Sequence, residues 1–286
     1  MKKEAEKYGI PYEKMDRVLV WHDEFDKEKL DETKWGFYRT MGAGDRFFCN
    51  DERFARMEGD KFLMQVHRCT DVEGADFALP EGLNTREQMN FKYGYVEMRA
   101  CLPYRHGAWP SFWMKSDTPF KKSEWMSEID ILEAYSSDRE FMPCIHKWAK
   151  GLHASCTRAD CIDKDRYIFE DYENLNNEYH VYGMEWNEKE LRFYVDDEYY
   201  STIAIDAERG NYQKEIIDGV DGFHDFHYLI MNNEIFSEGG YYRHSEESRL
   251  NDSDVLPINY YIDWVRLYQK DGEELKLMDE IQEAKK

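Results

Sequence analysis

The sequence predicts an all-β protein: a jelly-roll β-sandwich of two antiparallel sheets, one domain over residues 1–286, with short helical or irregular ends. Short runs rich in Val, Ile, Tyr, Phe and Trp alternate with turn formers such as Gly42-Ala43-Gly44-Asp45 and Asp196-Asp197, which is the pattern of sandwiches and jelly rolls. A chain of 286 residues can bury one large core, and such domains often run past 200 residues as a single unit. No linker, internal repeat or low-complexity tract divides it.

The run Glu128-Ile129-Asp130-Ile131-Leu132-Glu133 sets three acids among β-favouring apolar residues, a spacing that core packing does not require. In an extended strand side chains alternate, so Glu128 and Asp130 share one face while Ile129 and Ile131 take the other. Glu133 has the wrong parity unless one residue near Leu132 is bulged, and bulges beside active sites often re-aim a side chain in this way. With that bulge, Glu128 and Glu133 stand four strand steps apart, roughly 13 Å between backbones. Their carboxyl groups can then approach to about 5–5.5 Å, the separation at which one attacks a sugar carbon while the other protonates the leaving oxygen. Asp130 lies between them and is expected to share a proton with Glu128, because neighbouring carboxylates disfavour joint ionisation.

Taken in chain order, several segments resemble glycoside hydrolase family 16, the retaining endo-acting β-glycanases, in the subgroup whose catalytic strand is bulged. Trp21-His22-Asp23-Glu24-Phe25-Asp26 looks like the family's opening strand, followed by Leu30-Asp31 and Lys34-Trp35. Phe91 to Ala100 and Gly107-Ala108-Trp109-Pro110-Ser111-Phe112-Trp113-Met114 are highly characteristic together. His180 to Trp186 and Leu191 to Asp196 match the strand pair after the active site, and Tyr260 to Tyr268 matches the last strand. The resemblance covers about residues 17–270. It implies that Glu128 is the nucleophile, Asp130 its helper and Glu133 the general acid/base. Ser127 and Leu132 stand where laminarinases of the family commonly have Gly and Met, changes that leave the chemistry intact. The insert Ala149 to Asp165 and the segment Asn233 to Asn251 fit the simplest laminarinase pattern poorly and are expected to shape subsites.

Aromatic residues make up 16% of the chain, with 8 Trp and 21 Tyr, more than a core needs. Sugar rings offer flat C–H faces to indole rings while their hydroxyls seek polar edges. Trp125, three residues before Glu128, is the expected sugar platform, with Trp109 next. Trp113 is balanced between core and cleft, and Trp148 lies close by in sequence. His146 resembles the family histidine beside the catalytic strand, and Asn232 a cleft-strand position. Trp21, Trp35, Trp186 and Trp264 read as packing.

The formal net charge of -22, from 60 acids against 38 bases, opposes binding to nucleic acid or anionic membranes. It also leans against heavily sulfated polymers unless a local cluster overrides it, for which Arg86, Arg105 and Arg158 are the candidates. No stretch approaches a transmembrane helix, and Met1-Lys2-Lys3-Glu4-Ala5 leads into no signal-peptide core. The expectation is a soluble monomer acting on a polysaccharide or oligosaccharide, secreted if a signal has been removed and otherwise handling imported sugars. The favoured substrate is a β-1,3 or mixed β-1,3/1,4 glucan. A β-galactan is the alternative, and a non-catalytic carbohydrate-binding protein on the same sandwich is the reading from another class.

Cys49, Cys69, Cys101, Cys144, Cys156 and Cys161 are too few and irregular for a disulfide framework, so free thiols are expected, without a metal cluster. The chemistry calls for no cofactor, although the resemblance allows a structural calcium ion at Asp263, assisted by Glu24. Met1 to Lys14 and Asp271 to Lys286 are dense in Lys and Glu and read as tails or short helices on the rim.

Overall fold

A computed structural model describes residues 16–39, 45–135, 139–149, 152–155, 161–170, 175–206, 220–239, 248–251 and 254–286. Two large sheets face each other. One runs in the spatial order Leu152–Ser155, Glu140–Ala149, Met126–Glu133, Ala108–Lys115, Tyr228–Ile235, Gly82–Asn84, Gly36–Tyr38. The other centres on Gly94–Cys101, flanked by His180–Trp186 and Ile258–Gln269. Neighbours are antiparallel, except that Arg46–Cys49 pairs in parallel with Phe77–Pro80. The antiparallel sandwich read from the sequence is the fold, with this one parallel pair as a departure.

Alternation builds the core. From the first sheet Phe112, Met114, Ile129, Ile131, Leu132 and Ile145 turn inward, and they meet Val96, Met98, Met184, Trp186, Ile262 and Val265 of the second in one apolar cluster. Each such side chain, removed from water, contributes about 1.5–3 kcal/mol. Trp21, Trp35 and Trp186 are buried there as expected, and the Trp35 indole N–H donates to Asp23 Oδ2 at 2.8 Å. Trp264 is instead half-buried on the outer face, beneath the Arg266 guanidinium 3.9 Å from its ring centroid.

Of the two forms expected for the C-terminal segment, tail or short helix, the structure has the helix, preceded by a strand. Glu274–Leu277 pairs with Met89–Lys92, and the helix Met278–Ala284 buries Ile281. Met1 to Lys14, Gly42 to Gly44 and Arg158 lie outside the described residues. Among the described residues no helix is long and apolar enough to cross a membrane, and Cys49, Cys69 and Cys101 are free thiols, Cys101 buried. Cys156 lies outside the described residues.

Candidate active site

The acidic strand Met126–Glu133 sits between Ala108–Lys115 and Glu140–Ala149, and both pairings carry the expected irregularity. Glu128 stands opposite Lys115 and Glu133 opposite Ser111, so six residues on one strand span five on its neighbour. The extra residue is Ile131, between the pairs Trp113↔Asp130 and Phe112↔Leu132. The other neighbour shows the same offset, with Asp130 facing Cys144 and Glu133 facing Met142. Ile131 and Leu132 both go into the core, and all three acids line one cavity of about 340 Å³.

Each carboxyl group has a distinct environment. Glu133 is buried; its Oε1 accepts from the Trp109 indole N–H at 3.0 Å, and its Oε2 from the Tyr135 hydroxyl. Burial first, then the Asp130 charge with a smaller push from Glu128, raises its pKa to about 8, against the Tyr135 hydrogen bond. Asp130 is 2% exposed, with Oδ2 3.2 Å from His146 Nε2. Glu128 keeps more solvent contact and lies 3.5 Å from Lys115 Nζ and 4.0 Å from His146 Nε2. A protonated acid thus shares a cavity with two carboxylates that have cationic or imidazole neighbours.

His146 is tied into the neighbouring hairpin. Its Nδ1 lies 2.9 Å from His153 Nε2, and the His153 ring stacks on Trp148 with centroids 3.6 Å apart and planes 3° from parallel. Burial, and then the His146 charge, lowers the His153 pKa, which favours the neutral ring at neutral pH. Trp109, Trp113, Trp148 and Asn232 all line the cavity. Asn232 Oδ1 accepts from the Trp113 indole at 2.7 Å and from Ser111 Oγ at 3.0 Å; Trp113 fills both expected places, lining the cavity and packing in a buried cluster with Tyr228 and Ile230. Trp109 stacks on Phe236 at 4.9 Å.

Trp125 does not belong with them. It lies an odd number of residues from Glu128, just before the strand, and its ring covers the Lys147 ammonium at 4.9 Å, away from the cavity lining. Met126 takes the cleft position instead. Two other expectations also change. Arg86 pairs with Asp117, and Arg105 donates to the Val255 carbonyl; the cations that line the cavity are Arg46 and Lys115. Arg46 is held by Glu234 at 2.6 Å, both buried. The sequence reading passed over Tyr38, Arg46, Lys115, Met126 and Glu234. For Lys115 a signal was present, since it continues the alternation Ser111, Trp113. Arg46 and Tyr38 come from distant strands and carried none.

The two acids proposed for calcium do not fit such a site. Glu24 is engaged by Arg266 at 2.7 Å and by His22, and Asp263 by Arg99, so their charge is already met by cations where a hard ion needs six or more free oxygens. A donor set that does converge is Asp130, Cys144 and His146, whose atoms lie within 4.8 Å of one another. Within that set Asp130 Oδ2 and His146 Nε2 are already paired at 3.2 Å, and Asp130 belongs to the cavity lining.

A family model described as the GH16 domain of β-porphyranases A–D matches residues 18–270. Among curated relatives, glucan endo-1,3-beta-glucosidase A1 of Niallia circulans is 25% identical over 287 residues, covering 88% of this chain and 38% of that protein. Keratan-sulfate endo-1,4-beta-galactosidase of Sphingobacterium multivorum is 26% identical over 259 residues, covering 89% and 56%. The chain therefore spans only about a third to a little over half of such relatives. The laminarinase structure from Rhodothermus marinus superposes with a TM-score of 0.65 at 23% identity, over 88% of this chain and 97% of that one, a likeness of fold.

Proposed function

The chain belongs to glycoside hydrolase family 16, and we propose that it is a retaining endo-acting β-glycanase, working as a monomer on internal β-1,3 or mixed β-1,3/1,4 linkages of a glucan. Glu133 protonates the glycosidic oxygen as Glu128 attacks the anomeric carbon. Glu133 then takes a proton from the water that releases the sugar with its configuration retained. The observation that carries this reading is the Ile131 bulge, which returns Glu133 to the face of Glu128 and Asp130. A pKa of about 8 keeps Glu133 protonated in the free enzyme at neutral pH. Esterification of Glu128 removes one nearby negative charge, which lowers that pKa and prepares Glu133 to act as base. The scheme needs no cofactor.

A β-galactan substrate is the second reading, favoured by the β-porphyranase description of the matching family model. The intact set Glu128, Asp130 and Glu133 weighs against a purely sugar-binding role, which fold alone would not do. The test is a reducing-end and product-size assay on laminarin, barley mixed-linkage glucan, agarose, porphyran and carrageenan, with Glu128→Gln as control. Oligosaccharides from a glucan support the leading reading, and release only from a galactan replaces the substrate. Binding without cleavage of any polymer supports the sugar-binding class.

A further inference from the structure

Lys115 occupies a position the scheme above leaves unused. Strand register sets it directly opposite Glu128, and alternation turns it to the cleft beside Ser111 and Trp113. Its Nζ lies 3.5 Å from Glu128 Oε2, 3.3 Å from the Tyr38 hydroxyl and 4.6 Å from the Trp113 ring centroid. Side-chain exposure is only 18% for Lys115 and 14% for Glu128, so water screens the pair weakly. Burial works against the ammonium charge, yet the Glu128 carboxylate and Tyr38 outweigh it and leave the lysine pKa above its ordinary value. A cation is therefore held on the oxygen atoms that change charge during the reaction.

We propose that Lys115 stabilises the Glu128 carboxylate as it is expelled from the glycosyl-enzyme, and so speeds the second half of the reaction. The inference rests on Glu128 being the nucleophile. In that step the bond between the anomeric carbon and the Glu128 oxygen breaks and its electron pair stays on Glu128. The water oxygen bonds to the anomeric carbon, and its proton passes to Glu133. Negative charge grows at Glu128 in this half and disappears in the first. A fixed cation thus favours release and slightly restrains attack. Asp130 and Glu133 on the same strand carry no compensating positive charge, and His146 is farther from Glu128, at 4.0 Å.

The test compares full-length wild type, Lys115→Met, Lys115→Gln and Lys115→Arg on the polymer that wild type cleaves. Steady-state rates are measured together with intact-protein mass after acid quenching during turnover. Loss of the cation is expected to lower kcat about tenfold, equivalent to about 1.4 kcal/mol, with KM falling in parallel. kcat/KM should stay within about threefold, and protein carrying one covalent glycosyl adduct should become the main species. Lys115→Arg should restore most of kcat and remove the adduct. Unchanged kcat, a raised KM, or a lowered kcat without adduct in whichever neutral variant folds overturns the proposal. Failure of the parent reading is seen separately, as a Glu128→Gln protein that turns over like wild type.

Discussion

Replacing Glu133 by Gln should separate stability from activity in a pH-dependent way. The buried carboxyl has a pKa of about 8 in the folded protein against an ordinary 4.5. Between those values the unfolded chain has released its proton while the folded chain still holds it, so stability falls as pH rises. This acid therefore costs nothing below about pH 4.5, costs more with every step toward 8, and adds no further cost beyond. At about 1.4 kcal/mol per pH unit, the penalty reaches about 3 kcal/mol at pH 7. Gln keeps an oxygen for the Trp109 indole and an amide that can donate to the Tyr135 hydroxyl, so it relieves the penalty without emptying the site. Thermal and urea unfolding of both proteins from pH 5 to 9.5 should show little difference at the acid end. Glu133→Gln should then gain steadily, roughly 6–10 °C in Tm by pH 7, and level off above pH 8. Over the same range it should lose about 10²–10⁴-fold in polysaccharide turnover, while wild-type kcat/KM declines above about pH 8. A stability difference that ignores pH, or a variant less stable at pH 8 than wild type, would refute the buried protonated acid.

Four further changes probe the cleft. Trp125→Ala should leave KM within about twofold, because that ring covers Lys147, whereas Trp148→Ala should raise KM severalfold; initial rates on the cleaved polymer decide. Glu234→Ala strips the buried Arg46 of its carboxylate and should cost about 3–5 kcal/mol in urea unfolding. Deleting Ile131 removes the extra residue and leaves Glu128 and Glu133 opposite Lys115 and Ser111. The shortened protein should keep measurable activity, within about tenfold, despite about 2–5 kcal/mol lost from the core; complete loss of turnover in a folded protein would count against the register argument.

The alternation of side chains along a strand is a local property, and it was enough to place much of this molecule. From Glu128 to Glu133 the apolar residues had to go one way and the acids the other, and the single parity conflict at Glu133 announced the bulge found at Ile131. The same rule, applied to Trp125 and Lys115, would have removed the first from the cleft and added the second; proximity in sequence is a poor guide on a strand, where adjacent residues face apart. Tertiary structure alone decided the rest. Tyr38 and Arg46 reach the cavity from strands distant in the chain, and the partners of Glu24 and Asp263 turned possible metal ligands into ion pairs. The pKa of Glu133 was beyond the sequence for the same reason. An acid's charge is governed by the water it loses and the charges it meets, and both depend on which distant strands the sheet brings beside it.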